Sequence, residues 1–169
     1  MTSNLSQRPS NDSVSITLRP ALPEDEAFLC AVYASTRRDE LAACGWDQAQ
    51  QEAFLQMQFN CQRQSYGWQY PRAEHQVILR DGQPVGRIIV HRTEEEILLV
   101  DIALLPEHRN AGIGGALVRD LFAEASTTGK PVRLHVERFN RARQLYERLG
   151  FVCIGDTGMH FLMEWRTGG

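Results

Sequence analysis

One segment limits the folds open to this chain more than any other. Ile97 to Leu105 reads ILLVDIALL, nearly continuous in apolar residues. A short apolar run of this kind fits a strand covered on both faces rather than one with a wet side. Pro106 stops it. A turn containing Gly112, Gly114 and Gly115 then leads into Ile113, Ala116, Leu117 and Leu121, whose spacing predicts a helix closed by Gly129. A covered strand feeding a helix calls for helices packed against a sheet.

The rest of the chain supplies the other parts. Met1 to about Ser13 is polar and reads as a mobile tail, with one domain expected over 14–169. Ile16 to Pro20 alternates as a short strand. Phe28, Leu29, Val32 and Tyr33 predict a first helix into the Ser35–Arg38 region. Asp47 suits the cap of a second, with Ala53, Phe54, Met57 and Gln58 along its packed side and fraying expected near Gly67. Asp81-Gly82 between apolar runs predicts a hairpin, and Pro84 argues for a longer or irregular loop. Val132 to Glu137 alternates as a strand, and Ala142, Leu145, Tyr146 and Leu149 mark a helix ending at Gly150. Phe151–Ile154 and His160–Trp165 read as closing strands. The order of elements suggests a mixed sheet flanked by helices.

Composition excludes several classes of function. Apolar residues make up 43% and charged residues 23%, the globular norm, and the formal net charge of -3 announces no basic face for nucleic acid. Cys30, Cys44, Cys61 and Cys153 form no CxxC pair and have no histidine at finger spacing, so no metal is expected. Their scatter suits reduced thiols in the cytoplasm. No stretch approaches the ~20 apolar residues of a membrane span, so no membrane partner is expected.

The glycine turn carries the chemistry. Glycine allows a backbone to approach a ligand closely, and a helix start presents unpaired N–H groups with partial positive charge. A strand running into a helix through three glycines within four residues is therefore an anion site for a phosphate or pyrophosphate, to which Arg109 adds a charge. A P-loop needs Lys-Ser/Thr where Ala116-Leu117 stands, and a dinucleotide fingerprint needs glycine where Leu117 stands. A plain helix start with tight packing remains the bland alternative.

The flanking residues favour the anion site. Arg109-x-x-Gly112-x-Gly114 resembles the pyrophosphate loop of the GNAT acetyltransferases, and Asn140 through Leu145-Tyr146-Glu147 to Gly150-Phe151 resembles their second signature. The two motifs stand in the family's order and cover about residues 97 to 154. One departure is that six positions separate Asn140 from Tyr146, against seven in many members. The resemblance implies an α/β (α+β) GNAT fold, with a mixed, mostly antiparallel central sheet of six to seven strands and about four flanking helices. It also implies acetyl-CoA as cosubstrate. The amides of Asn110, Ala111, Gly112, Ile113, Gly114 and Gly115 would hold its pyrophosphate, beside Arg109 and Asn140. The strand end at Leu104 and Leu105 would pair with the pantetheine arm, and an N–H near Leu104 would polarise the thioester carbonyl, worth ~3 kcal/mol by analogy with other oxyanion sites.

Tyr146 resembles the family's general acid, protonating the departing thiolate, although its place on the stripe of Ala142, Leu145 and Leu149 also suits a core residue. Arg133, His135 and Glu137 share one face of their strand. His135 stands where some relatives carry a glutamate base, and is the first candidate to take the amine's proton. Asp101, an acid inside an apolar strand, reads as a base or, more simply, as a satisfied structural carboxylate. The aromatic segment Arg37 to Arg72 suits an acceptor pocket, a dimer surface or plain packing. The expected activity is transfer of acetyl directly to a primary amine of a small molecule or peptide, with a homodimer left open. The alternatives are a non-catalytic acetyl-CoA-binding or regulatory module, and an acyltransferase for a longer acyl-CoA.

Overall fold

The computed structural model describes residues 13–169, so nearly all of the expected tail lies outside the described residues. Seven strands form one sheet: β1 (Ile16–Pro20), β2 (Glu74–Arg80), β3 (Gln83–Arg92), β4 (Ile97–Leu104), β5 (Val132–Glu137), β6 (Val152–Asp156) and β7 (His160–Trp165). Their order is β1-β2-β3-β4-β5-β7-β6. Every pairing is antiparallel except β4 with β5. Four helices flank the sheet: α1 (Glu26–Ala42), α2 (Gln48–Gln69), α3 (Ile113–Thr128) and α4 (Ala142–Leu149). The expected fold class is the one observed.

The apolar run of β4 is explained by its place at the centre, with helices packed on either side. On one face, Ile88, Val90, Ile97 and Leu99 meet Ile113, Leu117, Val118 and Leu121 of α3 and Tyr146 of α4 in the main core. On the other, α1 packs against β3 and β4, and Tyr33 and Leu41 of α1 join Leu55 and Phe59 of α2.

Three local readings need correction. Helix α1 runs to Ala42, beyond the Arg38 region. Helix α2 is capped as expected by Asp47, whose carboxylate accepts from the Gln50 amide at 2.8 Å. However, it continues through Gly67 to Gln69, and its buried residues are Leu55 and Phe59, while Met57 is exposed. The stripe inward from Leu55 passes through Phe59, Gln62 and Tyr66, apolar at one end and polar at the other. The hairpin at Asp81-Gly82 needs no longer loop. Both residues take positive φ, the geometry of a two-residue primed turn, and Pro84 is absorbed by a register shift that leaves Val85 as the extra residue.

Candidate active site

The site begins with a failure of strand pairing. Strands β4 and β5 pair only at Ile97, Leu98 and Leu99 opposite Val132, Arg133 and Leu134. Immediately beyond, β4 carries a bulge: Val90 faces Leu99 and Ile89 faces Asp101, leaving Val100 extra. A bulge bends and twists its strand, and here β4 departs from β5. A gap opens between residues 100–104 and 135–137. The Leu105 N–H donates to the Val85 carbonyl at 2.9 Å. Since bonding alternates along an antiparallel ladder, Leu104 and Ile102 turn their amides away from β3 and into that gap. Leu105 itself is bonded to β3, so of the two strand-end residues expected to meet a ligand only Leu104 faces the opening.

Below the gap, the chain leaves β4 through a 3-10 turn at Pro106–His108 and reaches α3 by way of Asn110 and Gly112, at φ 59° and 80°. None of the six N–H groups from Asn110 to Gly115 donates to another group among the described residues, and the first helical bond starts at Ala116. No atom lies within 4 Å of where a Cβ would stand on Gly112 or Gly114. An amide cradle at a helix start with open space above it is a ready site for a di-anion such as a pyrophosphate. Ile113 is buried and faces the core.

Arg109 and Asn140 have local duties. The Arg109 Nε donates to the Leu104 carbonyl at 3.0 Å and its Nη2 to Ser35 Oγ at 3.2 Å, tying the loop to the end of β4 and to α1. Asn140 Oδ1 accepts from the Ala142 amide at 2.8 Å, capping the start of α4.

Tyr146 stands on α4 in the main core, its ring edge-on to Phe151 at 5.7 Å. Its hydroxyl makes no hydrogen bond among the described residues. Burial pushes its pKa up to about 12, and the Asp101 carboxylate adds to the rise. The phenol is thus held in its proton-bearing form within reach of the charge on β4. His135 projects from the opposite face of the sheet, exposed and unpaired among the described residues. Its neighbours on that face are engaged: Arg133 with Glu164 and Glu96, and Glu137 with Arg37 at 3.8 Å.

Asp101 forms an ion pair, but it is not the satisfied carboxylate of the simpler reading, because its buried Oδ2 has no hydrogen-bond partner among the described residues. Its Oδ2 lies 2.6 Å from Nη2 of Arg87, and that same nitrogen donates to Gln62 Oε1 at 2.6 Å. Yet Asp101 also raises Tyr66, which burial pushes to about 12. Arg87 and Gln62 were not singled out from sequence, and Tyr66 entered only as one aromatic of the Arg37–Arg72 segment. The available signal was a charge of each sign interrupting two neighbouring apolar strands, VGRIIV and LVDIAL. Among the described residues no cluster suited to a metal occurs, and no helix is long and apolar enough to cross a membrane.

Comparison with known proteins fits this geometry. Residues 71–153 match the model of an acetyltransferase (GNAT) domain. Over 117 residues the chain is 26% identical to a Haemophilus influenzae [ribosomal protein bS18]-alanine N-acetyltransferase, covering 66% of this chain and 78% of that protein. A PaiA N-acetyltransferase of Thermoplasma acidophilum, solved with coenzyme A, superposes with a TM-score of 0.67 at 20% identity, over 90% of this chain and 99% of that one. An acetyltransferase of Thermus thermophilus gives 0.63 at 19% identity, over 90% and 97%.

Proposed function

We propose, from the match of residues 71–153 to an acetyltransferase (GNAT) domain, that the chain is a GNAT acetyltransferase that transfers the acetyl group of acetyl-CoA directly to a primary amine. The observation that carries this is the gap between β4 and β5, which has unpaired strand amides on one side, six unbonded loop amides below, and a tyrosine hydroxyl within electrostatic reach. These residues fit acetyl-CoA. The cradle from Asn110 to Gly115 receives the pyrophosphate, and the Ile102 and Leu104 amides align the pantetheine arm. When bound, the cosubstrate supplies an activated acetyl thioester.

The chain's own groups then act on charge and protons. An amide of the gap, at or near Leu104, meets the charge developing on the thioester oxygen, the kind of contact worth about 3 kcal/mol elsewhere. Tyr146 donates its proton to the departing sulfur; held neutral by burial, it remains a donor across the working pH range. His135 is the proposed acceptor of the amine's proton. Asp101, on the same face of the sheet, is the second candidate for that task. Arg109 fixes the loop relative to β4, and Asn140 fixes α4 and hence Tyr146. No acetyl-enzyme is required, and Cys153 lies on the strand after α4 rather than at the gap.

The test is calorimetric titration with CoA, acetyl-CoA and longer acyl-CoAs, followed by thiol release with a panel of amines. Tight acetyl-CoA binding with amine-dependent thiol release is expected. Absence of binding to all three returns the glycine turn to a packing role, and binding without turnover of any amine favours a regulatory module.

A further inference from the structure

On the α1/α2 face of the sheet, a cavity of about 150 Å³ opens between the two helices and strands β2 and β3. Leu29, Phe59 and Ile89 give it apolar walls, and Tyr66, His75 and Arg87 give it polar ones. A cavity of that size accommodates a molecule of about benzene's bulk.

Arg87 is the feature that packing does not explain. Its side chain is only 7% exposed. One nitrogen, Nη2, donates to Gln62 and lies 2.6 Å from Asp101 Oδ2 as an ion pair without a hydrogen bond, while Nε is buried without a hydrogen-bond partner and Nη1 donates to nothing among the described residues. A guanidinium has five N–H donors, and leaving them unmade in a buried setting is costly. The imidazole of His75 offers no compensating charge; burial and then Arg87 and Arg63 hold it toward its neutral form. Beside Arg87, one strand nearer the gap, stands the Asp101 carboxylate. The cavity therefore ends in a cation with donors to spare, next to an anion that borders the transfer site.

We propose that this cavity is the acceptor site and that it takes a small zwitterionic amine, a free amino acid or close analogue, with its carboxylate on Arg87 and its amine beside Asp101. This deepens the acetyl-transfer reading and rests on it. A zwitterion adds no net charge to the buried Arg87–Asp101 pair, supplies an acceptor oxygen for Nη1, and leaves its side chain to Leu29, Phe59 and Ile89. A plain ammonium leaves the arginine donors unmade and its own charge unbalanced. In the reaction the bound ammonium releases one proton. That proton passes to His135, the acceptor proposed above. The nitrogen then forms the bond to the acetyl carbon, the carbon–sulfur bond breaks with its electron pair on sulfur, Tyr146 protonates the sulfur, and the second proton lost by nitrogen restores Tyr146. The products are an N-acetyl amino acid and the CoA thiol.

The experiment measures thiol release with acetyl-CoA and the common amino acids, each beside its amide and its decarboxylated amine. The wild type is expected to favour some of the amino acids over their two partners by roughly ten- to a hundredfold in kcat/KM, the scale of one charged hydrogen-bonded contact. Arg87→Met and Arg87→Lys should both erase that preference while acetyl-CoA affinity is kept. The lysine variant keeps Asp101 paired and so guards against misfolding. Equal or better use of decarboxylated amines or of peptides by the wild type overturns the proposal, as does a preference that survives both substitutions. If no amine is acetylated, calorimetric titration of amino acids into CoA-saturated protein separates the two readings. Arg87-dependent binding sustains the cavity assignment without the transferase, and no binding overturns it.

Discussion

Substitution of Gly114 by leucine separates ligand binding from folding at the loop. Gly114 occupies the second position of α3, its φ lies outside the left-handed region, and a Cβ there meets no atom within 4 Å. The folded protein should therefore accept the side chain. Replacing glycine in a helix is favourable by up to ~1 kcal/mol, so the melting temperature should hold or rise slightly. The isobutyl group nevertheless projects into the space over the six unbonded amides. If it keeps the pyrophosphate from only two of them, at about 1.5–3 kcal/mol for each bond to a charged group, the loss is roughly 3–6 kcal/mol. That corresponds to about a hundred- to ten-thousandfold weaker CoA binding. Calorimetry with CoA and thermal unfolding of the same sample measure the two effects. CoA affinity within about threefold of wild type, in a protein that melts normally, refutes the cradle. Gly112 is a less clean target. Its φ of 80° adds about 1–2 kcal/mol of strain for any other residue, which mixes folding with binding.

Other perturbations address the chemistry and the frame. Tyr146→Phe should lower kcat about a hundredfold or more, the usual worth of a positioned proton donor, with acetyl-CoA affinity and melting temperature preserved; full activity returns Tyr146 to the core. Because its folded pKa is raised to about 12, stabilisation from the neutral phenol is complete below its ordinary value near 10 and is lost as pH rises through about 12. The profile of kcat/KM should accordingly show no alkaline limb from this residue below about pH 10, and a limb near 9 that disappears in Tyr146→Phe contradicts it. His135→Ala and Asp101→Asn, compared at fixed saturating acetyl-CoA, identify the proton acceptor. The His135 variant is expected to lose turnover, and a loss confined to the Asp101 variant moves the role to β4. Gly86→Ala should cost about 1–3 kcal/mol by overpacking, because a Cβ there runs into the Ala103 carbonyl and approaches Leu104 Cδ2 at 2.8 Å. An unchanged thermal midpoint contradicts that.

How much of this was legible in the sequence depends on how local each signal was. The β4–loop–α3 unit could be read directly, because its apolar run, its glycines and the stripe of Leu117 and Leu121 lie close together in the chain. Helix α2 was recognised but its packed side was not. The inward stripe from Leu55 through Phe59 to Gln62 and Tyr66 turns polar halfway along, so a search for apolar periodicity settles on Phe54 and Met57 instead. Asp81-Gly82 announced its turn, while Pro84 pointed to a longer loop because the bulge that absorbs it depends on pairing with Leu79. The Arg87–Asp101 pair was hidden for a related reason. Each charge was visible in its own strand, but only the register of β3 against β4 puts them on one face.

The gap itself conflicts with ordinary sheet economy, and that is informative. Strand amides in a sheet interior are normally paired, and unpaired ones invite edge-to-edge association. Here the bulge at Val100 interrupts the pairing of two central strands, although pairing at Ile97–Leu99 shows that β4 and β5 are otherwise compatible. The interruption falls where the loop amides are also unbonded and where the Tyr146 hydroxyl, on a largely buried ring, has no protein partner among the described residues. Three sets of polar groups without protein partners, on β4, at the α3 start and on α4, meet around one opening. Unpartnered groups that converge on a single space are what a fold shows when a ligand completes its hydrogen bonding, so binding of acetyl-CoA should itself stabilise the protein, by about 2.7 kcal/mol at a hundred times the dissociation constant.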